Sequence, residues 1–259
     1  MAEKRPLILV CNDDGITAPG IRNLAREMTQ LGEVVVVAPD GPQSGMGHAI
    51  TINGILRCDP VDIDDAVKNE YSCSGTPVDC VKLAVNKVLP RKPDLVVSGI
   101  NHGSNSSINV IYSGTMSAAV EGSLEDIPSI GFSLCDYNWH ADFKPAMPFV
   151  RSIAAEVLQQ GLPKGVCLNV NIPKYEDKPY AGIKICRQAN ANWVEEVETR
   201  EDPRGRDYYW LTGRFDNKDN GRDTDEWALQ NYYLSIVPVQ SDLTAIRQKE
   251  ELTKWNFKL

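Results

Sequence analysis

The sequence of 259 residues contains no apolar run long enough to cross a bilayer as a helix. Nor does it contain a Cys-x-x-Cys pair, although it holds seven cysteines, Cys11, Cys58, Cys73, Cys80, Cys135, Cys167 and Cys186. Their number is odd and they are dispersed. Cys11, Cys135, Cys167 and Cys186 sit inside apolar runs, where a free thiol behaves as a small hydrophobe. The reading is therefore reduced thiols in a reducing compartment, not a disulfide framework. Excess positive charge is also missing. Lys and Arg total 27 against 35 Asp and Glu, a formal net charge of −8. A general binder of nucleic-acid polymers would show a basic face. A phosphate substrate is not excluded, because a bound metal can invert the local field. No internal repeat or low-complexity tract is visible. The stretch Met1 to Arg5 is polar and shows no signal-peptide pattern, so the expectation is a cytoplasmic protein that does not enter the membrane.

What is present is ordinary globular material: 42% hydrophobic and 24% charged residues. The length suits a single α/β domain over residues 1–259. Leu7 to Cys11 and Val34 to Ala38 read as buried strands, with Gly20 to Leu31 a helix between them. Val78 to Leu89 reads as a second helix and Asp94 to Ser98 as a strand. Met116 to Leu124 is helical, Ile127 to Leu134 a strand, Ala146 to Gln160 a helix and Val166 to Ile172 a strand. Buried runs separated by helices indicate an α/β fold with a mainly parallel sheet covered on both faces. From Asn190 to Asn231 the chain becomes charged, turn-rich and aromatic, and reads as a surface excursion with a few hairpins. Its Trp193, Tyr208, Tyr209, Trp210, Phe215 and Trp227 suggest packing on another body, such as a second subunit. Tyr233 to Val239 returns to strand pattern, and Leu243 to Trp255 reads as a terminal helix.

Four motifs fall at strand ends, where open parallel sheets bind ligands. Asn12-Asp13-Asp14-Gly15 follows the first strand. Two adjacent carboxylates repel unless a positive charge lies between them. Either a divalent cation sits there, or the residues only make a turn and cap the next helix. The second strand runs into Gly41-Pro42-Gln43-Ser44-Gly45-Met46-Gly47, a loop that can bring backbone N–H groups or the Ser44 hydroxyl to a ligand. Ser98-Gly99-Ile100-Asn101-His102-Gly103-Ser104-Asn105 places Asn101 at the same edge, and its amide oxygen is a hard ligand for Mg²⁺, Mn²⁺ or Ca²⁺. Asn105 is a second amide nearby. Tyr112-Ser113-Gly114-Thr115 opens a helix of small residues. A helix amino terminus suits a phosphate, and Ser113 and Thr115 add hydroxyl donors, although an ordinary cap gives the same pattern. Gly75-Thr76-Pro77-Val78-Asp79 reads as a structural helix start. His102 is a candidate proton donor, with a loop histidine of no chemical role as the plainer alternative.

Taken in order along the chain, these motifs resemble the SurE family of survival-protein phosphatases, the 5′/3′-nucleotidases. Ala18-Pro19-Gly20, Asp202-Pro203-Arg204-Gly205, Thr224-Asp225 and Asp242-Leu243-Thr244 add to the likeness. The chain departs from the family pattern at Gln43, where Arg is expected, at Asn109, where an acidic residue is usual, and at His102 and Ser104 to Ser107. The resemblance implies a Rossmann-like three-layer fold with a carboxy-terminal hairpin arm, within 190–231, exchanged between subunits of a homodimer or homotetramer. It implies one Mg²⁺ or Mn²⁺ per subunit, held by Asp13, Asp14, Ser44 and Asn101. Asp13, Asp14 and Asn101 would then be catalytic, and Ser113, Gly114, Thr115 and Asn105 would bind the phosphate. The implied activity is hydrolysis of nucleoside 5′-monophosphates, with 3′-monophosphates and other small phosphate esters as further substrates. The nucleophile is left open between water and one of the two aspartates. Two rivals remain at this point. One is a non-catalytic nucleotide-binding stress protein. The other is a dinucleotide-dependent oxidoreductase, against which the incomplete glycine fingerprint Gly45-Met46-Gly47 counts.

Overall fold

The computed structural model describes residues 5–257. The polar stretch ahead of Arg5 lies outside them. β1 (Leu7–Cys11) and β2 (Glu33–Pro39) pair in parallel and are buried on both faces. Their side chains alternate between two cores. Ile8, Val10, Val34, Val36 and Ala38 face one, while Leu7, Leu9, Cys11, Val35 and Val37 face the other. Helices on both sides complete the burial that a parallel sheet requires. α1 (Pro19–Met28) and α4 (Met147–Gln160) put Ile21, Leu24, Met28, Val150 and Ile153 into the first core. α2 (Pro77–Leu83) and α3 (Gly114–Leu124) put Cys80, Val81 and Ala118 into the second. The three-layer α/β expectation holds.

The remaining strands of the sheet are β3 (Cys58–Val61), β4 (Asn69–Cys73), β5 (Leu95–His102), β6 (Ser129–Leu134), β7 (Val166–Ile172), β8 (Gly182–Ile185) and β11 (Tyr233–Gln240). Nine strands run in the order β3-β4-β2-β1-β5-β6-β7-β11-β8. All neighbours are parallel except β3 with β4 and β11 with β7. β1 and β5 are central and adjacent, so the residues after Cys11 and after Ser98, paired in register, emerge side by side. Gly20 in the first turn of α1 permits this crowding. A Cβ there would stand 1.9 Å from the Ile100 carbonyl oxygen.

Several boundaries differ from expectation for physical reasons. β3, β4 and β8 are peripheral and largely polar or half-exposed, so no apolar run announces them. The helix expected over Val78–Leu89 is α-helical only to Leu83 and then widens into a π turn over Ala84–Val88. Its start is as expected: Thr76 accepts from Asp79 N, Asp79 accepts from Thr76 N, and Pro77 holds the first helical position. Of the terminal helix only α6 (Ile246–Leu252) forms, and all of it is exposed.

The segment 190–231 is two structures rather than one excursion. β9 (Ala191–Glu201) and β10 (Asp207–Asn217) form a long antiparallel hairpin apart from the main sheet, exposed along almost its whole length. α5 (Asp225–Gln230) instead packs into the body. Its buried Asp225 accepts from the backbone N–H of Ser107 at 2.8 Å and of Ala189 at 2.9 Å. Among the described residues no helix is long and apolar enough to cross a membrane.

Candidate active site

β1 ends in Asn12-Asp13-Asp14-Gly15. Asn12 is fully buried and its Nδ2 donates to the Gly15 carbonyl at 2.9 Å, which closes the turn and sets both carboxylates at the sheet edge. Asp13 is only 3% exposed. Burial pushes its carboxyl up to about 6, the Thr115 hydroxyl and backbone work against that rise, and the Asp14 charge adds to it. No Lys or Arg among the described residues pairs with Asp13 or Asp14. A buried carboxylate without a cation is costly, and that is the condition a metal relieves.

α3 begins against Asp13. Ser113 is its N-cap, accepting from Met116 N at 3.0 Å. Gly114 follows because nothing larger fits: a Cβ there would lie 2.7 Å from the Asp13 Cβ and 3.0 Å from its Oδ2. Thr115 is fully buried and its hydroxyl donates to Asp13 Oδ1. The single hydroxyl proton of Thr115 thus goes to the aspartate, which makes Thr115 a positioning residue for Asp13.

The loop after β2 is tied down at both ends of its Ser44. Gln43 N donates to the Asp13 carbonyl at 2.7 Å, and Gly47 N donates to the Tyr112 carbonyl at 3.2 Å. Ser44 is exposed and held between the aspartate turn and the start of α3. Farther along, His48 Nε2 lies 2.9 Å from Glu121 Oε2 of α3, and Lys82 pairs with the same carboxylate. Asn101, one residue before the end of β5, lies beside the aspartates. Its Nδ2 donates to the Gly103 carbonyl at 2.8 Å, which leaves Oδ1 as its free face.

The structure therefore brings Asp13, Asp14, Ser44, Asn101, Ser113, Gly114 and Thr115 to one edge. Asn105 is placed differently. It is buried, its Nδ2 donates to Ser133 Oγ at 2.8 Å, its N–H donates to Asn171 Oδ1 at 2.8 Å, and its carbonyl accepts from Asn169 Nδ2 at 2.8 Å. Its amide braces the loop from within the sheet.

Sequence reasoning missed how His102 is used. Its Nδ1 stands 3.1 Å from Asp14 Oδ2, and its backbone N–H donates to the same oxygen at 3.3 Å. The ring stacks on Trp139 with centroids 5.3 Å apart and meets Phe143 edge-on at 5.2 Å. With a carboxylate accepting, Nδ1 carries the proton, and the imidazole acts as a clamp on Asp14. No local pattern could reveal this, since Trp139 and Phe143 lie beyond the next strand. A separate cavity of about 710 Å³, lined by Met116, Val120, Leu124 and Val239 among others, touches none of the predicted site residues and is mainly apolar. The chemistry belongs to the strand-end cluster instead.

The donor set suits a hard divalent cation: two carboxylates, an amide oxygen and a hydroxyl, with one carboxylate buried and without a cationic partner among the described residues. Among the described residues there is no group of three or more His, Cys, Asp or Glu that could hold a metal, so any ion at this edge would depend on the Ser44 and Asn101 oxygens as well.

The family model described as survival protein SurE matches residues 8–195, a span that contains every residue of this cluster. The chain belongs to the SurE family. It is 64% identical to the 5′-nucleotidase SurE of Flavobacterium psychrophilum over 98% of both chains. It is 63% identical to the 5′-nucleotidase SurE of Christiangramia forsetii over 99% of both. The SurE protein of Aquifex aeolicus has the same fold, with a TM-score of 0.82 at 38% identity over 96% of this chain and 98% of that one. SurE membership fits the departures noted above, because Gln43, His102 and Asn109 leave the four oxygen donors intact.

Proposed function

We propose that this SurE-family chain is a divalent-metal-dependent phosphatase that hydrolyses nucleoside 5′-monophosphates to nucleoside and phosphate. The names of its relatives describe an enzyme, which favours turnover over passive nucleotide binding. The observation that carries the reading is the pair of adjacent carboxylates, one buried, beside hydroxyl and amide oxygens and with no Lys or Arg partner among the described residues. In this proposal Asp13, Asp14, Ser44 and Asn101 hold one Mg²⁺ or Mn²⁺ per subunit. Such an ion, when bound, polarises the phosphate and favours deprotonation of water. The chain's own residues do the rest. Thr115 fixes Asp13, and His102 fixes Asp14. Ser113 keeps its hydroxyl proton for a phosphate oxygen while its own oxygen caps the helix. The amino end of α3 favours negative charge at that point. 3′-Monophosphates and other small esters belong to the same proposal.

The assembly and location are part of it as well. A two-stranded ribbon is marginal when isolated. Here its outer half exposes Val197, Tyr208, Tyr209 and Trp210. A homodimer or homotetramer in which these residues meet another subunit, by arm exchange or by contact, would cover them in a cytoplasmic enzyme of one domain. The test of the activity is phosphate release from nucleoside monophosphates with Mg²⁺, with Mn²⁺ and with chelator. Asp13→Asn and Asp14→Asn should each lower the rate at least a hundredfold, on the order of 3 kcal/mol of barrier. Turnover that persists unchanged after exhaustive chelation would defeat the proposal.

A further inference from the structure

Asn109 ties together two aromatic residues that the reaction above does not use. Its carbonyl accepts from Tyr112 N at 3.1 Å, and its side-chain Oδ1 accepts from Trp193 Nε1 at 2.7 Å. An acidic residue at this position would put a full charge beside the indole; the neutral amide supplies the acceptor oxygen without that charge. Trp193 is held a second time by Phe215, edge-on with centroids 5.6 Å apart. Side chains alternate along a strand, so Trp193 on β9 shares a face with Leu211 and Gly213, which lie opposite Val197 and Glu195. Tyr112, Trp193, Leu211 and Gly213 line one open cleft of about 440 Å³. That size is within the range of small-molecule sites. Tyr112 directly precedes Ser113 and Gly114, so the cleft begins where the proposed phosphate site ends.

We infer that this cleft is the nucleobase subsite, with a base stacked on the rigid indole of Trp193 and bounded by Tyr112. The inference rests on the nucleotidase reading and deepens it. Every base has a π-face, so an aromatic wall supplies affinity across bases. A fixed indole loses little side-chain freedom when a base arrives, and the Asn109 and Phe215 contacts provide that fixation before substrate binds. The Trp193–Asn109 hydrogen bond also fixes the base of the hairpin beside the Ser107–Ile111 turn that leads into Tyr112.

The experiment compares adenosine 5′-monophosphate with ribose 5-phosphate, which carries the same phosphate and sugar and no base. In Trp193→Ala of the full chain, the ratio of kcat/KM for the nucleotide to that for the sugar phosphate should fall about tenfold, as loss of one stacked base predicts. Trp193→Phe keeps a ring and should recover most of the ratio. Adenosine alone should quench tryptophan emission of the wild type, and that quench should disappear in Trp193→Phe. An unchanged ratio in Trp193→Ala, or an adenosine quench retained without Trp193, would overturn the inference. If the wild type hydrolyses neither ester, the nucleotidase reading fails, and the adenosine titration still decides the cleft.

Discussion

The Thr115 hydroxyl donates to Oδ1 of Asp13, from a position 102 residues later in the chain. The link joins the first turn of α3 to the end of β1, and it is buried at both ends. Thr115→Val keeps the shape and removes the donor, leaving a buried carboxylate oxygen with less support. Catalytic efficiency should fall at least tenfold. Stability of the metal-free protein at neutral pH should fall by about 1–3 kcal/mol. Thr115→Ser, which retains the donor, should be close to normal in both. Steady-state kinetics and thermal melts on the same purified proteins check this. Normal kinetics in the valine variant would remove Thr115 from the site's support.

Asp13 ties activity to pH through its burial. Its carboxyl is pushed up to about 6 in the folded protein from an ordinary 3.8. The folded state therefore holds this proton more tightly than the unfolded state does. The stabilisation this gives the metal-free protein is fully present below about pH 4 and is lost as pH rises through 6, on the order of 3 kcal/mol in all. A metal needs the carboxylate, so proton and cation compete. Apparent affinity for Mn²⁺ should weaken about tenfold per pH unit below 6 and level off above it. Titration calorimetry at several pH values reads this directly. Asp13→Asn should flatten the Asp13-dependent part of the metal-free stability profile.

His102 should behave as the clamp on Asp14 rather than as a proton donor. His102→Ala removes the hydrogen bond and the ring between Trp139 and Phe143. Mn²⁺ affinity should drop roughly 10–100-fold, the range typical for loss of a group that orients a metal ligand. His102→Asn places an amide N–H near the position of Nδ1 and should recover much of the affinity, whereas His102→Gln, whose amide matches Nε2, should not. Equal behaviour of the Asn and Gln variants would show that only packing matters at this position.

The sheet and the strand-end cluster were legible because each has a local signature. β1, β2 and β7 are apolar runs with one allowed environment, and Asp13, Asp14 and Asn101 each follow such a run. The turn and cap chemistry at Thr76, Pro77 and Asp79 was equally local. What escaped notice depends on partners far along the chain. β3 is a half-exposed edge and β4 is its polar neighbour, so Asp59 and Glu70 give no strand signal, and buried Glu70 depends on Arg22 and on the N–H groups of Ile63 and Asp64. Asn105 reads as a loop amide until β7 supplies Asn169 and Asn171 beside it. Thr115 reads as a phosphate donor until the fold places Asp13 under it. α5 was hidden inside a charged stretch because it buries only Ala228 and one carboxylate, Asp225, which collects backbone N–H groups from two other segments.

The hairpin provides the remaining prediction. In its outer half one face presents Val197 and Tyr209, and the other presents Tyr208 and Trp210, each at least 41% exposed. Apolar side chains on both faces of a ribbon are stable in water only if another body covers them. Deleting the whole segment 190–231 is the wrong probe, because it removes α5 and the buried Asp225 with it. Charged substitutions in the outer half of the hairpin leave the body intact. Tyr209→Glu combined with Trp210→Glu should shift light-scattering mass toward the 28.7 kDa monomer while the melting temperature of the body changes little. Trp193 lies at the other end of the hairpin and is unaffected, so adenosine quenching should survive in this variant. A wild-type chain already monomeric at micromolar concentration would refute the assembly outright. An unchanged oligomer in the double variant would place the subunit contact elsewhere, with the exposed Ile246, Leu252 and Trp255 around α6 as the next surface to test.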